Sequence, residues 1–300
     1  MKLNKHIGGI TLLVVVVTAQ AQTFTSLDAP GAVETYAYGI SGGNIVGWYY
    51  DSSYTPHGYL YNGGTFTTLD APGSTATYVW GISRGQIVGE ADSGSFQRSV
   101  LSGSSYTTLF PNTLTSTYGI DGSNIVGRSY DDSGVMHGFL YNGTTFTTLD
   151  GPGAIATSAS GISGVNIVGF YTDKSGYDYG FQYDGTTYNT LMDPNANIGA
   201  FPTGGTYAQG VSGNNIVGYY RNNSGDHGFL YDGTSYTTLD VPGAVDTDVL
   251  GIDGNNIVGY CIDNTGLHGF WEIIGPVPEP STLALASIVG LGLLLFRHKI

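Results

Sequence analysis

Cysteine is nearly absent. Cys261 is the single thiol in 300 residues, which excludes an internal disulfide framework. It sits in an apolar, strand-like run and reads as an inert buried thiol. Charge is scarce as well, at 11% of residues, and positive charge scarcer still, with 9 Lys and Arg against 23 Asp and Glu. Between Gln22 and Pro280 the only bases are Arg84, Arg98, Arg128, Lys174 and Arg221, while all 23 acids fall there, a net charge near −18. Such a surface repels phosphate backbones and anionic lipid headgroups, so nucleic acid is excluded as a partner. It tolerates divalent cations. What abounds is 48 Gly and 23 Tyr, with plentiful Thr and Ser, a composition suited to an all-β chain with many turns.

Apolar runs of any length are confined to the two ends. Residues 1–21 read as a secretory signal peptide: Lys2 and Lys5, an apolar core over 10–17, and the small-x-small cleavage site Ala19-Gln20-Ala21. The apolar core is too short to span a bilayer. At the other end, Val277-Pro278-Glu279-Pro280 is followed by a hydrophobic segment over 281–296, expected as a helix, and a basic tail over 297–299 that begins at Arg297. Two prolines keep the approach to that segment extended, and the basic tail favours the cytoplasmic side. This order of parts resembles the PEP-CTERM sorting signal of Gram-negative bacteria. The resemblance implies an exosortase-type processing enzyme as partner, transient anchoring in the inner membrane through the C-terminal segment, and delivery to the outer surface or extracellular matrix. An ordinary C-terminal membrane anchor is the alternative.

The region 22–274 is repetitive. His137-Gly-Phe-Leu-Tyr-Asn-Gly-Thr-Thr-Phe-Thr-Thr-Leu-Asp150 returns at 57–70 and 227–240, more loosely at 179–191 and in degraded form at 97–109. Asn-Gly or Asp-Gly between aromatic and β-branched runs is a strong hairpin signal, because such turns need positive φ. Ahead of each hairpin stands Gly-Ile-Ser/Asp-x-x-x-Ile-Val-Gly, whose first Gly falls at 39, 81, 119, 161, 210 and 251. Repeats of about 42 residues with several short strands each indicate a propeller.

Four strands are expected per repeat, in the first copy over 35–40, 44–50, 57–61 and 65–70. The connections from first to second strand and from third to fourth keep a constant length. The other two vary, from 8 to 10 residues and from 10 to 19. One face should therefore carry uniform turns and the other the variable loops, where function usually lies. The chain begins with a lone fourth strand over 23–28 and finishes with a lone third strand over 268–272. Pairing them completes a sixth sheet and closes a ring. The expectation is a six-bladed β-propeller closed by the N-terminal strand, with a two-sheet sandwich as the alternative.

The phrases His57-Gly-Tyr, His137-Gly-Phe, His227-Gly-Phe and His268-Gly-Phe also resemble the extracellular HAF repeat family. That resemblance implies an exported repeat protein and names no catalytic activity. It departs at Gln97-Arg98-Ser99 and Tyr179-Gly180-Phe181.

Several residues could carry chemistry. Equivalent His residues on different repeats are held apart by a ring, so they are expected to hydrogen-bond neighbouring loops and not to converge on zinc. Asp131, Asp173 and Asp263 open turns whose oxygens could take calcium, although none has the full spaced loop, and turn chemistry explains them. No cofactor is otherwise expected. Leu-Asp-x-Pro-Gly, as at 27–31, reads as a strand stop and a sharp turn.

The first strands hold the sharpest candidates. Tyr38, Trp80 and Tyr118 precede their Gly-Ile phrases, and Tyr36, Tyr78 and Tyr207 stand two residues further back. By strand alternation both positions share a face. If that face borders the central mouth, these six rings form a ligand-binding cluster suited to a sugar. Packing between blades is the structural alternative. No catalytic grouping stands out. The one large break in the repeat, 192–207, holds Asp193 as its sole carboxylate, which could pair with Asp178 or Asp226 in a glycan-active hydrolase or lyase. The expectation is a non-enzymatic binding or structural module for an extracellular polysaccharide or surface protein.

Overall fold

A computed structural model describes residues 24–92, 96–102, 105–108, 115–197, 199 and 204–275. The expected signal peptide over 1–21, with Ala19 and Ala21, lies outside these residues. So does the whole sorting segment: Val277, Pro278, Glu279, Pro280, the expected helix over 281–296 and Arg297. Among the described residues every regular element is a strand, and no helix is long and apolar enough to cross a membrane.

The chain enters through β1 (Thr25–Ser26). The first meander is β2 (Glu34–Ser41), β3 (Asn44–Tyr50), β4 (Pro56–Asn62) and β5 (Thr65–Thr68), and the second is β6 (Ala76–Ser83), β7 (Gln86–Asp92), β8 (Phe96–Ser102) and β9 (Ser105–Thr108). The third runs through β10 (Thr115–Asp121), β11 (Asn124–Tyr130), β12 (Met136–Tyr141) and β13 (Phe146–Leu149). The fourth comprises β14 (Ala156–Ser163), β15 (Asn166–Thr172), β16 (Asp178–Tyr183) and β17 (Tyr188–Leu191). The fifth comprises β18 (Gly205–Ser212), β19 (Asn215–Asn222), β20 (Gly225–Tyr231) and β21 (Tyr236–Thr238). Last come β22 (Asp246–Asp253), β23 (Asn256–Ile262) and β24 (Leu267–Ile273), which β1 joins in the order β1-β24-β23-β22.

The expectation of a six-bladed propeller is corrected here. Five blades are self-contained, each a continuous four-stranded meander. The remaining four-stranded sheet is a composite seam, not a blade of the same kind. Its outer strand is two residues long and pairs only as Thr25↔Trp271 and Ser26↔Phe270. The physical reason is connectivity: its outer strand comes from the other end of the domain, whereas each of the other outer strands continues its own meander.

The innermost strands β2, β6, β10, β14, β18 and β22 each touch the next, and β22 touches β2. The glycine of each Gly-Ile phrase makes this close approach possible. A Cβ on Gly39 would stand 3.1 Å from Gly81 Cα, one on Gly81 would stand 2.5 Å from the Tyr118 carbonyl oxygen, and one on Gly251 would stand 2.6 Å from that of Tyr38. The third residue of the phrase then accepts a hydrogen bond from the next blade's tight turn. Gly122 N donates to Ser83 Oγ (3.3 Å), Gly164 N to Asp121 Oδ2 (2.8 Å) and Gly254 N to Ser212 Oγ (3.0 Å). Gly42 N donates to Asp253 Oδ2 at 2.7 Å and carries the pattern across the seam. This explains why the position is Ser or Asp.

The core lies between blades and is divided into clusters. Val46 packs with Val79, Ile82 and Ile87 of the next blade, and Leu27 with Ala37, Ile40, Ile45 and Val258 across the seam. Within a blade, the buried Phe139, Phe181, Phe229 or Phe270 covers the glycine of Ile-Val-Gly, where a Cβ would meet its ring. The glycine after each His faces the Leu carbonyl of the strand beyond, at 2.8 Å from a Cβ on Gly58 and 2.7 Å from one on Gly269.

The turns between blades follow from Pro and Gly. Ala32 N donates to Ala29 O at 3.0 Å, Pro30 fills the second place, and Gly31 takes φ of 80°, the geometry of a type II turn. A buried Thr of the following strand closes it, as Ala29 N donates to Thr35 Oγ1 at 3.0 Å.

Candidate functional site

Every innermost strand carries a β-bulge at one position, between Ala37 and Gly39 in β2, Val79 and Gly81 in β6, and Thr117 and Gly119 in β10, with equivalents in the other three. The bulged residues are Tyr38, Trp80, Tyr118, Ser160, Gln209 and Leu250. A bulge leaves one residue without a ladder partner and re-aims its side chain. All six bulged residues line a central cavity of about 320 Å³, with Ser158, Phe170, Tyr219, Asp248, Tyr260 and Arg128 among its other walls.

Of the six aromatic residues singled out from sequence, Tyr38, Trp80 and Tyr118 border this cavity. Tyr38 meets Trp80 edge to face at 4.6 Å, and Trp80 meets Tyr118 likewise at 5.8 Å. Tyr36 and Tyr78 stand behind them. Tyr36 stacks on Trp48 at 4.0 Å, and Tyr78 lies parallel to Trp80 at 6.0 Å. Tyr207 does not line the cavity: it stacks on Tyr219 and lines an adjoining cleft with Thr172, Asp178 and Arg221, which shares Phe170 and Tyr219 with the cavity.

Sequence reasoning passed over a second set of residues, those after Ile-Val-Gly in five of its six copies, the second copy having Glu90 across from Tyr78. Trp48, Arg128, Phe170, Tyr219 and Tyr260 sit directly across the ladder from Tyr36, Ser116, Ser158, Tyr207 and Asp248. Cross-strand neighbours share a face, so these second-strand residues could have been paired with the first-strand set.

Asp248 is the cavity's chemical outlier. It is 4% exposed, its Oδ2 accepts the Tyr260 hydroxyl, and its Oδ1 has no partner among the described residues. Burial pushes its carboxyl up to about 8; the Tyr260 bond and Arg221 oppose that rise, while Asp226 and Asp246 add to it. Burial, and then the nearby Asp248 charge, raises the phenols of Tyr38, Tyr219 and Tyr260. Beyond Tyr118, the Arg128 guanidinium lies 5.6 Å from the ring centroid, and its Nε is buried without a partner among the described residues.

Each acid named for the enzyme alternative has partners of its own. Asp193 caps its own turn, accepting Asn195 N on Oδ1 at 2.8 Å and donating its backbone N–H to Thr206 Oγ1 at 2.9 Å. Asp178 accepts the hydroxyls of Thr172 (2.6 Å) and Tyr207 (2.7 Å). Asp226 is paired twice with Arg221 at 2.6 Å.

The His residues pair instead with the Asp of Leu-Asp-x-Pro-Gly. Nδ1 of His57, His137 and His227 lies 2.8 Å from a carboxylate oxygen of Asp70, Asp150 and Asp240 respectively. Oδ1 of Asp131 accepts backbone N–H groups of Ser133 and Val135, and that of Asp173 accepts those of Ser175 and Tyr177. Asp263 Oδ1 similarly accepts Thr265 N. Among the described residues no three His, Cys, Asp or Glu side chains converge as a metal site.

Blades around a central cavity define a β-propeller, and known structures agree. A mutant of AofleA from Arthrobotrys oligospora superposes with a TM-score of 0.51 at 12% identity, over 85% of this chain and 88% of the other. The β-propeller domain of the Trilobed protease from Pyrococcus furiosus, described as having an open velcro topology, gives 0.50 at 10% identity, over 81% and 96%. SapL1 lectin, solved with alpha methyl fucoside, gives 0.49 at 14% identity, over 82% and 98%. At these identities the first two likenesses show the fold alone. Residues 276–299 match the PEP-CTERM protein-sorting motif. The motif implies processing by an exosortase and marks the chain as exported, on a propeller scaffold. No curated protein sequence matches the chain.

Proposed function

We propose that the protein is a non-enzymatic binding module, sorted to the cell surface or extracellular matrix, that holds an extracellular polysaccharide at its central mouth. The observation that carries this reading is the re-aiming of Tyr38, Trp80 and Tyr118 into one cavity by matching bulges. Ring faces accept the apolar face of a sugar, and Ser158, Ser160 and Gln209 supply polar groups for its hydroxyls. The resemblance of the His-Gly-Phe phrases to HAF repeats accords with an exported repeat protein. Anchoring through 281–296 before exosortase processing belongs to the same proposal.

The test is a glycan array probed with secreted protein, parent and the W80A/Y118A double variant side by side. Retention of a polysaccharide by the parent and its loss in the variant is the expected result. Equal retention by both would remove the mouth as the site. No retention by either would leave a purely architectural role.

A further inference from the structure

The central cavity holds a buried carboxylate that the blades themselves leave half unsatisfied. Asp248 is 4% exposed, and Oδ1 has no partner among the described residues. A buried carboxyl without its full set of hydrogen-bond partners is costly, and one on a cavity wall is a candidate ligand contact. Three aromatic rings, Tyr38, Tyr219 and Tyr260, line the same cavity. They come from the two strands β22 and β23 pack against and from β23 itself: Tyr260 lies across the ladder from Asp248, Tyr219 is on β19, and Tyr38 is on β2. A carboxylate among ring faces is the chemistry that recognises an ammonium group.

We propose that this cavity takes a saccharide unit bearing a free amino group, its ammonium paired with Asp248 and walled by Tyr38, Tyr219 and Tyr260. The inference rests on the polysaccharide reading above and narrows it to amine-bearing sugars. The charged groups facing Asp248 from neighbouring elements are Asp226, Arg221 and Asp246. Of these, Arg221 is already doubly paired with Asp226. Arg128 also lines the cavity but lies beside Tyr118 on β11, on the opposite side of the ring from β22. Burial favours the protonated carboxyl. Ammonium binding therefore expels that proton, and binding at neutral pH releases protons to the buffer.

The experiment is calorimetric titration of the full secreted protein with a β-1,4-linked glucosamine tetramer and with its fully N-acetylated counterpart. At pH 7 the amine form should bind about tenfold more tightly, the scale of one charge-assisted contact. Titration in buffers of differing ionisation enthalpy should show proton release with the amine form only. Asp248→Asn, nearly isosteric, should erase both the preference and the proton release, and Tyr260→Phe should weaken the preference. Equal binding of the two tetramers by the parent would overturn the inference and leave the polysaccharide reading standing. An amine preference that survives in Asp248→Asn would also overturn it. Binding of neither tetramer would overturn the inference, and the glycan array then decides the broader reading separately.

Discussion

His268 Nδ1 lies 3.1 Å from Asp28 Oδ2, although the two residues are 240 apart in sequence. Within the first blade the same pair is His57 with Asp70, 13 residues apart at 2.8 Å. The seam thus copies the internal geometry of a blade, using one residue from each end of the domain. Beside it, Leu27 is 2% exposed, and its N–H donates to Gly269 O at 2.8 Å. Leu27→Ala should cost ~2–5 kcal/mol, as for other buried leucines, with urea unfolding as the measurement. Asp28→Ala, at an exposed pair, should cost under ~1 kcal/mol. The reverse ranking would mean that the polar pair and not the buried leucine holds the seam.

The glycine ring makes a sharper steric prediction. A Cβ at Gly81 would stand 2.5 Å from the Tyr118 carbonyl oxygen, which is backbone and cannot swing aside. Gly81→Ala should therefore destabilise by ~1–3 kcal/mol through forced separation of two blades. Unchanged unfolding in this variant would show that the blades are not in backbone contact there.

Asp248 gives a pH-dependent stability with a definite sign. Its carboxyl is raised from the ordinary 3.8 to about 8 by burial, so the folded state holds a proton that the unfolded state has released between those values. Stability from this group therefore falls as pH rises from about 4 to 8. Asp248→Asn removes the titration. Its melting temperature should exceed the parent's at pH 9, and the advantage should vanish at pH 5. A constant difference at both pH values would show that the side chain does not titrate as buried.

The His–Asp pairs act with the opposite sign. At His137 the hydrogen bond to Asp150 raises the imidazole above its ordinary 6.5; burial opposes the rise, and Asp131 adds to it. At His57 burial pulls the imidazole down, but the bonds and charges of Asp70 and Asp51 outweigh it. Their contribution is fully present below 6.5 and lost as pH rises through the raised value. His137→Gln should lower the melting temperature more at pH 6 than at pH 9. Equal losses would make the His a packing element only.

Much of the strand order was legible because the hairpin phrases repeat with fixed turn lengths. The second strand of the first blade, Asn44–Tyr50, falls where the Ile-Val-Gly run places it. The lone strand expected over 23–28 pairs as Thr25–Ser26, with Leu27 buried beside it, and it arrives from the far end of the domain. That origin separates five self-contained blades from a seam. The bulge at Tyr38, Trp80 and Tyr118 was not legible, since alternation assumes an unbroken ladder. Nor was the place of Tyr207, which lies behind Tyr219 in the adjoining cleft at Asp178. Asp248 occupies the strand position that Tyr36 holds in the first blade, but its buried, half-unpartnered state depends on Tyr260 and Tyr219, which arrive from two other strands.

The measurement closest to the centre of the account is equilibrium binding of the array-selected polysaccharide to the parent and to Trp80→Ala, with circular dichroism confirming that both are folded. Loss of one ring–sugar contact should weaken binding about tenfold. An unchanged dissociation constant in a folded Trp80→Ala protein would contradict it.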